Sequence, residues 1–193
     1  TMDDILSACR KKVLEAVKKN RLELGNMPHS LKNDREIVTE AVINNGLAFK
    51  FASPELRNNF DIVRKAMNSK PQAVIQTLST DMKKIVFMYS VTKGKSQWVE
   101  LLLEEEDVDP NMKDITGKTA LIMAAEKAAE NKQKSMVVDL LLSHQRVNPN
   151  IRDLYGKTGL YYAQEYAKRI NDYAMENILE TQIELQEGIQ VLK

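Results

Sequence analysis

The chain of 193 residues has one cysteine, two histidines and no long apolar run, and each shortage excludes a class of protein. A lone cysteine cannot form an internal disulfide framework, and it suits a reducing compartment. No stretch approaches the roughly 18 apolar residues that span a membrane as a helix. Hydrophobic residues at 43% and charged residues at 28% are typical of a soluble globular protein. We therefore expect a cytoplasmic protein without a membrane span.

Residues that carry catalysis or bind cofactors are equally scarce. His29 and His144 are separated by most of the sequence, and neither can be placed beside Cys9. Cys9 falls on an apolar helix stripe, which predicts a small core side chain and not a nucleophile. Gly-Lys-Thr occurs at 117–119 and 156–158, but a phosphate-binding loop needs another glycine at a fixed earlier position, which both copies lack. The sequence therefore predicts no enzyme, no cofactor and no metal site.

Charge divides between the two halves of the sequence. Residues 1–90 carry a net charge of +5 and residues 91–193 carry −4, which sum to the +1 of the whole protein. The densest basic stretch runs from Arg10 to Arg21 on a predicted amphipathic helix. A solvated helix face explains this stretch, because no aromatic residues interleave it as in nucleic-acid-binding segments. Contact with phosphate or an anionic membrane is the alternative.

The most informative feature present is an internal repeat. Residues 108–121 and 147–160 are near copies, with identical residues at 8 of 14 aligned positions. Their period of 39 residues indicates a solenoid, in which each unit buries its apolar face against its neighbours. Both copies contain Asp-x-x-Gly-x-Thr, which predicts a tight turn with glycine at positive φ and a threonine that caps the next helix.

These units resemble the ankyrin repeat in their turn, in an Ala-Ala pair and in an apolar second helix. The matching residues are Asp114, Gly117, Thr119, Leu121, Ala124, Ala125, Val138, Leu140, Leu141, Asn150 and Asp153. A degenerate copy precedes them, with Phe87 at the leucine position and Gly94 between its two helices. A third copy begins at Thr158, and its second helix is predicted around 175–179. The resemblance implies about three ankyrin-like helix-turn-helix units over residues 83–193.

The first half has a shorter, 25-residue period, seen where 31–38 aligns with 56–63. The pattern of each unit predicts a helix with one buried face. In the unit that begins at Leu31, Gly46 is predicted to be the C-cap of the helix, and Ser53 is predicted to be the N-cap of the next helix. The sequence of these units is similar to a repeat family of unassigned function that recurs in large proteins of intracellular bacterial pathogens and some protists. The resemblance implies a helical array over residues 1–82 and carries no known chemistry.

Together the two periods predict an all-α helical solenoid, with the 25-residue repeats of residues 1–82 stacked on the ankyrin-like units of residues 83–193. No Gly/Pro/Ser linker separates the two parts. We expect the two parts to form separate domains by repeat type but a continuous stack of helices.

The resemblance also implies where a partner binds. In ankyrin-like modules the residues between the aspartate and the threonine of the turn project from one concave face. Here the candidate partner-binding residues are Ile115, Thr116, Lys118, Leu154, Tyr155 and Lys157. Tyr155 favours partner contact, because tyrosine brings area and a hydrogen bond at low entropy cost. For Ile115 and Leu154, packing on the adjacent tip is an equal alternative.

We therefore expect a monomeric, non-catalytic protein–protein interaction module. The pairing of the two repeat types suggests a piece of a bacterial effector that is secreted into a eukaryotic host cytosol and binds a host protein. A targeting module for an enzyme whose catalytic domain lies outside this fragment is one alternative. A binder of anionic lipid or nucleic acid that uses the basic first half is the other.

Overall fold

Helices form all the named secondary structure in the computed structural model, which describes residues 2–19, 23–128, 132–170, 181 and 184. These residues contain no β-strand, only two isolated β-bridges. The all-α prediction is confirmed. The protein divides into two units, Thr1–Val86 and Phe87–Lys193. The assignment of domains to 1–82 and 83–193, and the stacking of one array on the other, stay predictions.

Short helices alternate with longer ones along the first unit. In sequence order it contains α1 (Met2–Lys19), a 3-10 turn (Glu23–Asn26), α2 (His29–Lys32), α3 (Arg35–Asn44), a 3-10 segment (Gly46–Phe51), α4 (Pro54–Arg57), α5 (Phe60–Met67), α6 (Pro71–Ile75) and the first half of α7 (Thr80–Lys93).

The core of this unit follows the 25-residue period. Helix α3 packs against α1 and α5, and four of its residues are completely buried together with their four counterparts on α5. These residues are Ile37, Val38, Ala41 and Val42 on α3, and Ile62, Val63, Ala66 and Met67 on α5. Their spacing of i, i+1, i+4 and i+5 covers one side of a helix, so the buried face that the sequence predicts is present.

Polar contacts repeat at the same period on the outside of this unit. The side chain of Asp34 caps α3 by accepting hydrogen bonds from the N–H groups of Glu36 and Ile37, at 3.0 and 3.1 Å. The Arg10 guanidinium pairs with both Asp34 and Glu36 at 2.7 Å. Arg35, the counterpart of Arg10 in the next repeat, pairs with Asp61 of α5 at 3.0 Å. Such exposed pairs contribute little stability, but they mark the register of one repeat on the next.

The prediction that Cys9 is a core side chain is wrong, because the thiol is exposed. Helix α1 is covered on one side, by α3 and the 3-10 turn that follows α1. Val17 is completely buried there, whereas Val13 and Ala16 are half-buried. Cys9 lies one further helical turn toward the N-terminus, beyond the covered part of the stripe.

Gly46 is not the C-cap that the sequence predicts. Helix α3 ends at Asn44, and the side chain of Asn45 caps the following 3-10 segment by accepting from the N–H of Leu47 at 3.1 Å. Gly46 does not have the positive φ of a glycine C-cap. A Cβ on Gly46 would lie 2.7 Å from the carbonyl oxygen of Ala66, so the glycine permits close approach of the next repeat's backbone.

The second unit is built from helix pairs and hairpins. After the last part of α7 it contains α8 (Ser96–Leu103), α9 (Ala120–Ala128), α10 (Lys132–Ser143) and α11 (Gly159–Ile170). Helix α9 packs against α10 and α11, and α10 packs against α8. The extra length of the central repeat over a usual ankyrin unit falls at 126–135, which includes the end of α9 and the start of α10; residues 129–131 lie outside the described residues. The second helix expected for the third copy, at 175–179, lies outside the described residues.

The degenerate first copy has the burial expected of an ankyrin unit. Phe87, Ser90 and Val91 are completely buried at the positions of the leucine and the Ala-Ala pair. The hydroxyl of Ser90 donates to the carbonyl of Phe87 at 2.7 Å, which satisfies it in the core. Gly94 has φ +69° between α7 and α8, as the inter-helix glycine requires.

Gly46→Ala should destabilise the protein by about 1–3 kcal/mol, because the new methyl group must displace backbone atoms of the next repeat. Leu47→Ala is the control, since Leu47 is the neighbouring residue and is exposed; its effect should stay within about 0.5 kcal/mol. Urea denaturation measures both. Equal stability of Gly46→Ala and the unmodified protein would disprove the close approach.

Candidate functional site at the hairpin tips of the second unit

The first Asp-x-x-Gly-x-Thr copy folds into a tight hairpin between α8 and α9. The N–H of Asp114 donates to the carbonyl of Lys118 at 2.9 Å, and Lys113 forms a β-bridge with Thr119. Gly117 has φ +76°, a left-handed conformation that favours glycine. The hydroxyl of Thr119 accepts from the first turn of α9, as a helix N-cap does.

The second copy repeats this geometry in the next ankyrin-like unit. The N–H of Asp153 donates to the carbonyl of Lys157 at 2.9 Å, and Gly156 has φ +72°. Arg152 forms a β-bridge with Thr158, whose hydroxyl caps the start of α11. The turn and the capping threonine that the motif predicts are therefore present in both copies.

Each aspartate holds its turn through its carboxylate. Asp114 accepts hydrogen bonds from the N–H and hydroxyl of Thr116, at 2.8 and 2.7 Å, and from the N–H of Lys118 at 2.9 Å. Burial alone would raise the pKa of Asp114. The hydrogen bonds from Thr116 and Lys118 outweigh burial and hold that pKa below its ordinary value.

Asp153 has one partner residue more than its counterpart. It accepts from the N–H groups of Tyr155 and Lys157 at 2.8 and 2.9 Å, and the phenol of Tyr162 on α11 donates to it at 2.6 Å. Burial would raise the pKa of Asp153. These hydrogen bonds, of which the one from Tyr162 has the largest effect, outweigh burial and keep the pKa of Asp153 low. The same contact raises the pKa of the Tyr162 phenol well above its ordinary range.

The two hairpins are direct neighbours. The Lys113 ammonium on the first donates to the carbonyl of Arg152 on the second at 2.9 Å. Gly117 of the first tip is buried, and a Cβ built on it would lie 2.9 Å from Cγ of Leu154 on the second tip. The two tips therefore form one surface on the second unit.

Side chains behind the hairpins fix their spacing. Arg146, after α10, donates to the carbonyls of Leu103, Glu105 and Val108 one repeat earlier; the Glu105 and Val108 contacts measure 3.1 and 3.0 Å. Asn111 donates to the carbonyl of Arg146 at 2.7 Å. A cation at the C-terminal end of α8 also suits that helix's dipole.

The six predicted residues separate into an exposed group and a half-buried group. Ile115 is fully exposed, and Leu154 and Tyr155 are 75% and 77% exposed. Thr116 is also exposed, although its hydroxyl is bound to the carboxylate of its own turn. The three large apolar side chains are therefore open at the tips, even though Leu154 also contacts Gly117.

The two lysines point back onto their own units. The Lys118 ammonium contacts both carboxylate oxygens of Glu126 on α9, at 2.6 and 2.8 Å, which raises its pKa. The Lys157 ammonium contacts Tyr161 on α11. It donates a hydrogen bond to the phenol oxygen at 3.0 Å and lies 4.2 Å from the centre of the ring. This hydrogen bond raises the pKa of Lys157. Both lysines keep their charge and border the tips.

A pair of tyrosines outside the six predicted partner-binding residues completes the surface. Tyr161 and Tyr162 meet edge to face, with ring centres 5.5 Å apart. Tyr161 is 38% exposed, whereas Tyr162 is half-buried on Asp153. In the sequence, the i, i+4 spacing from Lys157 to Tyr161 is the pattern that indicates contact between these two side chains. The sequence predicts an aromatic cluster on this unit from Tyr161, Tyr162, Tyr166 and Tyr173; the side chain of Tyr166 and all of Tyr173 lie outside the described residues.

A hairpin tip followed by two packed helices, with a second hairpin and its first helix beside them, defines a helical repeat module of the kind that binds proteins. Residues 87–179 match the family profile of ankyrin repeats (3 copies), so this region consists of ankyrin repeats. Ankyrin repeats are non-catalytic interaction modules, and the region is a protein–protein interaction module.

The first half matches another family. Residues 9–57 and 38–83 each match the family described as Domain of unknown function (DUF4116). The two matches overlap and are displaced by roughly one 25-residue repeat, in agreement with the period in the sequence. No curated protein matches the sequence. Among the helices that the structure describes, none is both long and apolar enough to cross a membrane.

Tyr162→Phe should lower the free energy of unfolding by about 1.5–3 kcal/mol, since it removes a hydrogen bond to the carboxylate of Asp153. Tyr161→Phe is the matched control at the adjacent position. It removes only an exposed hydrogen bond to Lys157 and should change stability by less than about 0.5 kcal/mol. Chemical denaturation at neutral pH compares the two. Equal losses would show that Tyr162 has no special role.

The stability difference between the unmodified protein and Tyr162→Phe should also depend on pH. The folded-state pKa of Asp153 is lowered, so its contribution is complete above the unfolded value of about 3.8 and is lost as pH falls through the folded value. The difference should therefore be constant near neutral pH and shrink in acid below about pH 4. A difference that grew in acid would contradict the assigned hydrogen bond.

Proposed function

We propose that the hairpin tips of the ankyrin region bind another protein through Ile115, Thr116, Leu154 and Tyr155. The observation that carries the proposal is the exposure of three large apolar side chains on two adjacent tips. Large apolar groups are disfavoured in solvent, and contiguous exposed ones commonly mark interaction sites. A tyrosine in such a position supplies contact area and a hydrogen-bonding group together.

The rigidity of the tips supports binding with little loss of conformational freedom. Each turn has a glycine in the left-handed conformation and a carboxylate that holds two N–H groups of the same turn. Side chains on such turns are positioned before a partner arrives, so less entropy is lost on association.

The charged side chains beside the tips supply a polar rim. Lys118 with Glu126, and Lys157 with Tyr161, lie next to the apolar tips and keep hydrogen-bonding groups at the border. An apolar centre with a polar border is the usual anatomy of a protein interface. Lys118 and Lys157 therefore contribute to specificity and orientation more than to affinity.

At the level of the organism, we propose that the protein is part of a bacterial effector that acts as a monomer in a host cytosol. The supporting observation is the combination of ankyrin repeats with the repeat family of the first half. The described sequence itself supplies no catalysis in this proposal. In the alternative proposal, the protein is the targeting module of a larger enzyme, and the same hairpin tips bind the protein to which that enzyme is targeted.

Binding of anionic lipid or nucleic acid by the first half has less support. Arg10, in the middle of its basic stretch, is bound to Asp34 and Glu36 at 2.7 Å, so its charge is already neutralised. We therefore expect Lys12→Glu together with Lys19→Glu to leave partner binding unchanged at moderate salt.

The test uses a photoreactive amino acid at position 155 to capture a protein from eukaryotic cell lysate, followed by affinity measurement with the purified partner. Tyr155→Ala should weaken binding by roughly 1–3 kcal/mol, as expected for an aromatic anchor. Its stability should change by less than about 0.5 kcal/mol, since the side chain lies outside the core.

An isoleucine pair provides the matched control. Ile115→Ala should also weaken binding, whereas Ile43→Ala should not, although Ile43 is 51% exposed in the first unit. If Ile43→Ala or the lysine substitutions reduced affinity while Tyr155→Ala and Ile115→Ala did not, the binding site would lie on the first unit. Loss of folding in Tyr155→Ala would place Tyr155 in the core, contrary to its exposure.

A further inference from the structure

A cleft of about 450 Å³ opens in the first unit, at a junction between two 25-residue repeats. It lies between the short helix α4 with its C-cap and the start of α7. Its lining residues are Pro54, Arg57, Asn58, Thr77, Ser79 and Asp81.

One repeat earlier, the equivalent junction is closed by hydrogen bonds. Ser53, the N-cap of α4, is buried, and its hydroxyl donates to the side-chain oxygen of Asn33 at 2.6 Å. The N–H of Ser53 donates to the carbonyl of Lys32 at 2.9 Å. Because Asn33 ends α2, these two bonds tie the end of one short helix to the start of the next.

The next junction has the same residue types but lacks the hydrogen bonds. Asn58 is the counterpart of Asn33 in the following 25-residue repeat, and it ends α4 in the same way. The serine before α7 is Ser79, and the connection from Asn58 to it is one residue longer than the connection from Asn33 to Ser53. Ser79 is exposed, and no hydrogen bond joins it to Asn58 in this described segment. Both residues line the cleft, which occupies the place of the missing bond.

Arg57 gives this cleft a cation with unused hydrogen-bonding capacity. Its Nε is buried without a hydrogen-bond partner. A buried donor of a charged group that lacks a partner is disfavoured, and native structures contain few of them. A turn of the guanidinium toward an oxygen ligand in the cleft would give Nε a partner. Arginine binds a carboxylate through two parallel N–H donors, a geometry that lysine cannot reproduce.

We propose that this cleft binds the carboxylate group of an organic monoanion. Arg57 binds the two carboxylate oxygens after its side chain turns, and Asn58 and Ser79 supply further donors. The hydroxyl of Ser79 accepts from the N–H of Met82 at 3.3 Å, which leaves its own proton for a ligand. Asp81 lies in the same lining, with the Lys84 ammonium 3.6 Å from it, and its carboxylate repels a second negative charge, which favours a monoanion over a more highly charged phosphate.

The test is a titration of the ¹⁵N-labelled protein with sodium acetate at constant ionic strength, followed by NMR. We expect saturable shifts of the Arg57 Nε–H signal and of the Asn58 and Ser79 amide signals. Arg57→Gln should weaken acetate binding ~10-fold or more, measured on those two amide signals. Arg57→Lys should weaken it similarly, because it keeps the charge but loses the fork. Inorganic phosphate should bind less tightly than acetate.

Arg64→Gln is the matched control, since Arg64 lies on α5 outside the lining and should leave acetate binding unchanged. If Arg57→Gln does not fold, Asn58→Ala tests the same site, because Asn58 is exposed and its replacement should not affect folding. Asn58→Ala should also weaken acetate binding. Shifts that do not saturate, or that persist unchanged in Arg57→Gln and Asn58→Ala, would overturn the site. Tighter binding of phosphate than of acetate would overturn the carboxylate assignment.

Discussion

Each repeat of this protein depends on its neighbour, because a single helix pair cannot bury its own apolar face. The buried residues of α3 match those of α5, and α9 is covered on two sides by α10 and α11. Many of the polar contacts follow the same rule, since their partners lie about one period away. Arg10 binds Glu36, and Arg146 binds carbonyls of the preceding ankyrin unit. Stability in such arrays comes from nearest-neighbour interfaces, so the register of each repeat is fixed by the one before it.

The function follows from what this arrangement leaves uncovered. Helices bury each other, whereas the hairpins between them project beyond the core and retain exposed apolar side chains. Asp114 and Asp153 hold these turns from within, so Ile115 and Tyr155 can be open to solvent without mobility of the turn. In the first unit, contacts between neighbouring repeats leave a cleft. The connection to Ser79 has one additional residue, so no hydrogen bond joins Ser79 to Asn58 in this described part of the chain, and the cleft lies between them.

Local patterns predicted the parts of this structure that depend on local chemistry. The 25-residue spacing placed the buried faces correctly, and Asp-x-x-Gly-x-Thr predicted the positive φ of Gly117 and its hairpin. Features that depend on neighbouring repeats were not predictable in this way. The local sequence predicts a helix cap at Gly46, because the actual role of Gly46, contact with a distant backbone, leaves no local signal. It predicts a core position for Cys9, because a helical stripe does not show how far the neighbouring helix extends.

The central claim is that the tips of the ankyrin region carry the binding surface. Hydrogen–deuterium exchange of the protein, alone and saturated with a partner captured through position 155, tests it most directly. The account predicts slower exchange of backbone amides in 113–119 and 152–158 on binding, with unchanged exchange in 29–67. Protection confined to 29–67, with both hairpins exchanging at their free rates, would contradict it.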